Sequence, residues 1–137
     1  MASRSRGRQF AVQLIYQSDF SGRPFESVLE SFWDHQNDAT LNRDFAETLA
    51  RGVIENRERL DLELTGYLEN WTLERLISLN RIILELALFE LEQDDQTPWK
   101  VVVDEAVMLT RVFCGEEHIN FVNGILHRWC MKNRKDS

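Results

Sequence analysis

The chain has 137 residues, 43% of them hydrophobic and 28% charged, with two prolines, six glycines and two cysteines. That size suits one compact domain with a real core, while the composition excludes Pro/Gly-rich disorder, a disulfide framework and a membrane-spanning apolar run of about 18 residues. The net charge of −7 is unevenly spread: residues 1–18 carry +3 through Arg4, Arg6 and Arg8, residues 127–137 carry another +3, and residues 19–126 carry −13.

Nearly every segment reads as helix. Residues 4–20 place Phe10, Ala11, Leu14 and Ile15 on one face, the spacing of an amphipathic helix. Ser21-Gly22-Arg23-Pro24 is a turn, and Pro24 opens a second helix with Phe25, Val28, Leu29, Phe32 and Trp33 on one stripe. His35 to Thr40 is polar and reads as a loop. A third helix starts near Leu41 with Phe45, Ala46, Leu49 and Val53 inward; it either continues through Leu60, Leu64 and Leu68 or breaks near Asn56. Thr72 reads as the N-cap of a short turn through Leu76, and Ser78 as the cap of a helix reaching about Gln93. Ile82, Ile83, Leu86, Ala87 and Phe89 make that helix apolar around much of its girth, which predicts a central position. Asp94-Asp95-Gln96 is a loop. Thr97-Pro98 is a start signal for a helix with Val102, Ala106, Leu109 and Phe113 inward, ended by Gly115. The last helix runs from about Glu116 to Met131, with Val122, Ile125, Leu126 and Trp129 inward. The expected fold is all-α, with six or seven helices joined by short connections.

Catalytic signatures are absent. There is no glycine-rich phosphate loop, GxSxG elbow or HExxH pair. His118 and His127 are nine residues apart on one expected helix, about 180° around it, so they cannot share a metal. Cys114 beside Glu116, Glu117 and His118 is a conceivable nucleophile or ligand cluster, but a small apolar residue at a helix end is the plainer reading. No catalytic residue, metal site or cofactor is expected, and the chain reads as a binding or structural protein. Its low cysteine content suits a reducing compartment such as the cytoplasm. The Arg- and Ser-containing start has no apolar signal core behind it, so it is expected to belong to the first helix.

Four ordered stretches, residues 6–16, 71–91, 97–107 and 121–126, together resemble the NusB family of bacterial antitermination factors. Arg6-Gly7-Arg8-Gln9-Phe10-Ala11-Val12-Gln13-Leu14-Ile15-Tyr16 resembles the family's arginine-rich opening and first helix. Trp71 to Leu76, with Arg81 to Leu84 and Ala87 to Leu91, resembles its central helix. Thr97 to Val107 resembles its Pro-x-Lys-Val-x-Ile-Asn-Glu-Ala segment, and Phe121-Val122-Asn123-Gly124-Ile125-Leu126 its Phe-Val-Asn-Gly-x-Leu signature. Departures are Gln9 for a usual Glu, Asn80 for a frequent acid, Glu85 for a common Arg and Asp104 for Asn.

The resemblance implies two small helical subdomains forming a single RNA-binding domain over residues 1–137. It implies an antitermination factor that binds single-stranded boxA RNA in nascent ribosomal transcripts together with NusE, a small-subunit ribosomal protein. RNA polymerase's antitermination complex and a possible homodimer are the further partners implied, and the setting is cytoplasmic. A helical adaptor of the same fold with little RNA binding is the alternative, suggested by the acidic middle. A detached RNA-binding domain of a ribosomal RNA methyltransferase is a lesser one.

Expected RNA-binding residues are Arg4, Arg6 and Arg8, whose guanidinium forks suit phosphate; Tyr16, which lies about 160° around the first helix from Leu14 and faces either RNA or core; and Lys100. On the last helix, Phe121 points about 100° from the inward stripe, with Arg128 and Lys132 within about 20° of it. A ring aligned with two cations has the composition of a single-strand platform, and Asn123 and Gly124 adjoin it; a buried, groove-filling Phe121 is the alternative. Glu74, Asn80 and Glu85 are expected as polar rim groups of a surface for the basic protein partner, unless their helix is simply core.

Overall fold

The computed structural model describes residues 4–36, 42–69 and 72–134. Leu41, Trp71, Lys135 and Asp136 lie outside the described residues, as does most of the expected loop from His35 to Thr40. The described residues form six α-helices and no strand: α1 (Arg4–Ser21), α2 (Phe25–Asp34), α3 (Arg43–Thr65), α4 (Ser78–Gln93), α5 (Trp99–Phe113) and α6 (Ile119–Asn133), with single 3₁₀ turns at Leu73–Arg75 and Glu116–His118. The all-α expectation holds. Contacts divide the chain into two compact units, residues 1–55 and 56–137, with the division falling inside α3. The break considered near Asn56 does not occur.

In the first unit α1 packs on α2. Phe10, Phe32 and Trp33 meet edge to face, with centroids 4.9–5.7 Å apart, a geometry that places positive ring edges on negative faces. Pro24 starts α2 as expected, its carbonyl accepting the Ser27 and Val28 N–H groups. Val12 is buried as completely as Leu14, so α1 is covered on more than its apolar stripe. Gly7 explains part of this. A Cβ there would stand 2.8 Å from Phe45 Cδ2 and 3.2 Å from the Asn42 Cβ, so only glycine lets α1 approach this ring.

In the second unit α4 packs on α5 and α6, and α5 on α6. Every residue of α4 from Ile82 to Leu91 is buried, as its all-round apolar pattern predicts. Three local signals resolve differently from expectation. Ile77, not Ser78, is the residue preceding α4. Pro98 takes the position before α5, and Thr97 is itself capped by Asp94, whose carboxylate accepts the Thr97 N–H and hydroxyl. Gly115, at φ +111°, separates α5 from a 3₁₀ turn, so the last helix begins at Ile119 and not Glu116.

Replacing Gly7 with Ala should destabilise the protein by on the order of 1–3 kcal/mol, the usual cost of overpacking, despite alanine's better helix propensity. The penalty should vanish in a Phe45→Ala background, because the ring is what the new methyl meets. Equal losses of melting temperature in both backgrounds would contradict this assignment.

Candidate nucleic-acid interface

The arginines expected to bind RNA stand at the start of α1, where the helix presents unpaired N–H groups and a partial positive charge. Cations there oppose the helix dipole, and no acidic residue occupies that first turn. Aromatic rings pack against them. The Arg4 guanidinium lies 4.5 Å from the Phe45 ring centre, and that of Arg6 4.5 Å from Phe10 while donating to Gln9 at 2.8 Å. Arg4 and Arg6 are exposed. Arg8 is a correction: only 5% of it is exposed, and its guanidinium packs 5.5 Å from Phe45, so it fastens α1 rather than facing solvent. Tyr16 is exposed and leans on the exposed Phe20 at 4.7 Å, which removes its core reading. Ten residues after Arg6, it lies roughly 15 Å further along the helix, so the arginines and this tyrosine do not form one contact site.

The second unit gathers a different set. Phe121 is half-buried, not mostly exposed, and forms a wall shared by two cavities. The larger, about 360 Å³, is bounded by Leu76, Ile77, Asn80 and His118, with Arg75 and Glu117 also lining it. The smaller, about 180 Å³, is bounded by Tyr67, Glu69, Asn120 and Arg128. Arg128 donates to the Tyr67 carbonyl at 2.7 Å, which fixes its guanidinium beside this second space. Asn123 and Lys132 are exposed on α6. A Cβ at Gly124 would meet only Arg128 Nη1 among the described residues, at an ordinary 3.6 Å, so none of them requires glycine there. Lys100 is exposed at the start of α5, its Nζ 5.6 Å from the Trp99 ring centre.

Two of the three expected partner-surface residues are corrected. Glu74 is exposed on its 3₁₀ turn, but Asn80 is 3% exposed and Glu85 is fully buried. Arg57 Nε donates to both Glu85 oxygens at 3.1 Å and its Nη2 to Oε1 at 2.9 Å. Arg81 lies 3.5 Å from Glu85 and donates to Asp61 at 2.7 Å. Burial, reinforced by the neighbouring Asp61 carboxyl, outweighs Arg57 and pushes the Glu85 carboxyl up to about 8. Asp61 Oδ1 is buried without a hydrogen-bond partner. Glu85 therefore acts inside the second unit, and a polar residue on an apolar helix proves to be an interior clamp.

Asn80 Nδ2 lies 3.0 Å from His118 Nδ1. Glu117 lies 3.6 Å from the other ring nitrogen, which favours a proton on Nε2 and leaves Nδ1 to accept from the asparagine amide. Asn80 Oδ1 is then buried with no partner. Leu76, Ile77, His118 and Tyr67 were not singled out as binding residues from the sequence; they face the cavities only because the turn at Leu73–Arg75 and the start of α6 fold together. Cys114 is half-buried, and burial plus the Glu117 charge push its thiol up to about 11, so it is not an activated nucleophile.

A ring between two cavities, guanidinium groups at exposed positions and a buried amide with an open acceptor can bind a polyanion carrying planar bases. The NusB family profile matches residues 5–130. The chain belongs to the NusB family. It is 36% identical over 132 residues to the transcription antitermination protein NusB of Leptospira biflexa, covering 96% of this chain and 94% of the relative. T. maritima NusB superposes with a TM-score of 0.83 at 30% identity, over 98% of this chain and 96% of that one. A NusB chain from a crystal structure of NusB and NusE in complex with double-stranded RNA shares the fold, with a TM-score of 0.73 at 24% identity over 91% of this chain and 93% of that one.

The Glu85 clamp has a pH consequence. A carboxyl near 4.5 in the unfolded chain and near 8 in the folded one favours folding fully below about pH 4.5, and that contribution is lost as pH rises towards 8. The melting temperature should therefore fall more steeply between pH 5 and pH 8 in the wild type than in Glu85→Gln, which keeps a neutral donor. Parallel curves for the two proteins would refute the buried proton.

Proposed function

We propose that this protein is a transcription antitermination factor that binds boxA RNA in nascent ribosomal transcripts together with NusE. The observation that carries the reading is the start of α1. Arg4 and Arg6 sit on aromatic rings at the positive end of a helix, where a cation weakens the helix but strengthens a phosphate site. Guanidinium groups already held in place lose less freedom on binding than ones on a loose tail. The family membership and the naming of its relatives as antitermination proteins support the same conclusion.

In this reading residues 1–137 work as a single RNA-binding domain in the cytoplasm, without catalysis. Arg4 and Arg6 contact phosphates, as do Lys100 and Arg128, while Phe121 and Asn123 face bases. Tyr16 extends the RNA contact along α1. Arg8 contributes by anchoring Arg4's ring partner, Phe45. NusE, a basic ribosomal protein, docks at the exposed Glu74 turn, and RNA polymerase and a second copy of the chain are further partners. The adaptor alternative draws on the −13 charge of residues 19–126, which would repel RNA anywhere except at local basic patches.

Titration of single-stranded boxA RNA over a range of salt, with and without NusE, separates these readings. Each lost phosphate contact on a single strand should flatten the log–log salt slope by about 0.7, so Arg4→Ala/Arg6→Ala should flatten it by about 1.4 and weaken binding. Affinity and slope unchanged by both substitutions would overturn the assignment of α1, and saltable binding absent from the wild type would favour the adaptor.

A further inference from the structure

We infer that the outer face of α5 is a self-association surface, on which Val101, Met108 and Val112 of two copies of this chain meet in antiparallel orientation and Asp104 of each copy pairs with Arg111 of the other. The inference rests on the reading that a second copy of the chain is a partner, and names the surface that copy uses.

The face is set by spacing. α5 buries Val102, Val103, Ala106, Leu109 and Thr110 on one side. Its other side leaves Val101 45%, Met108 45% and Val112 55% exposed. Single exposed apolar side chains are ordinary on a protein surface, but these three do not stand singly. With Glu105 they recur at intervals of four, three and four residues, the a/d spacing of a two-helix seam. At 100° per residue all four fall within a band about 60° wide.

Charge decides the occupant and its direction. Asp104 and Arg111 are both exposed and both lie about 60–80° from Val101 on the same flank of the stripe. Two copies related by a twofold axis present one patch to its own image. Placed antiparallel about the midpoint of Ala106 and Val107, Val101 opposes Val112 and Met108 opposes Glu105. Asp104 then comes within one turn of Arg111 on the shared flank, and the pair forms twice. The Glu105 methylenes cover the methionine while its carboxylate stays at the rim. A parallel pair would set Glu105 against Glu105 and turn the Asp104 flank towards the buried side of the other helix. Arg111 Nε already donates to Glu116 at 2.8 Å, but that pair is exposed on both sides and such contacts are worth little, so Arg111 turns to a second carboxylate at small cost. A polyanion would meet Asp104 and Glu105 on this face, which repel it. Four turns of helix make a small interface, so the dimer is weak and forms at high protein concentration.

Sedimentation equilibrium of the full chain, from about 1 to 500 µM, covers the range that a weak interface requires. Wild type should pass from monomer to dimer across it. Met108→Glu should weaken association by about tenfold or more, and Glu105→Leu, which completes the apolar stripe, should strengthen it. Asp104→Arg alone and Arg111→Asp alone should each be monomeric, because each sets like charges together. An equimolar mixture of those two variants should form a heterodimer that weakens as salt rises. Melting curves for every variant confirm that folded protein is being measured. A wild type that stays monomeric throughout overturns both the surface and the second-copy reading. A dimer indifferent to Met108→Glu and to both charge reversals overturns the surface while the second copy stands as a partner. A mixture that fails to associate overturns the antiparallel pairing. If Met108→Glu impairs binding of NusE or boxA RNA at concentrations where wild type is monomeric, the face belongs to that complex and the inference is wrong.

Discussion

The constraint on which the second unit depends is the burial of α4. A helix sunk in the core from Ile82 to Leu91 satisfies its own backbone, but any polar side chain on it must find a partner inside. Glu85 does so through the Arg57 fork and Arg81. Breaking such a cluster is expensive because it strands a charge in low dielectric, even when the intact cluster adds little net stability. The cluster thus ties α4 to the C-terminal part of α3 in one register. Asn80, two residues before the buried run, is satisfied on one side only. The same constraint therefore yields a closed polar network at the middle of the helix and an open one at its start, and the open one borders the cavity shared with Phe121.

The first unit uses a different device. Its cations pack on aromatic rings, which position the guanidinium groups. Phe45 is central: Gly7 gives it room against α1, and Arg4 and Arg8 both lie over its ring. Arg8 is buried in the process while Arg4 stays exposed. Two arginines four residues apart thus take opposite roles, one structural and one available to an anion. A carboxylate in Phe45's place would have anchored the helix as well but cancelled the field that attracts RNA.

Much of this was legible from residue order. The boundaries of α1, α2 and α4 follow from apolar spacing, Pro24 and the all-round apolar pattern of 82–91. The motifs at residues 6–16, 97–107 and 121–126 carried the family. What escaped depended on groups distant in sequence. Glu85 looked like a rim residue because periodicity assigns polar side chains to solvent, and its partners Arg57 and Asp61 lie on α3. Asn80 and His118 are joined by one hydrogen bond across 38 positions, with no repeat to announce it. Arg8 read as a third free cation because nothing local shows that Phe45 closes over it. Thr97 read as a cap because Thr-Pro is a strong local signal, whereas its hydroxyl donates back to Asp94 and α5 starts without a side-chain cap.

Photocrosslinking of boxA RNA to the intact protein with NusE, mapped to residues by mass spectrometry, tests the central claim most directly: that RNA is bound where rings hold cations in place. Crosslinks at Phe121 and at the opening turn of α1 are expected, with the Phe121 crosslink competed by unlabelled boxA RNA. Crosslinks confined to the exposed outer residues of α5, Val101, Met108 and Val112, with none at Phe121 or α1, would contradict it.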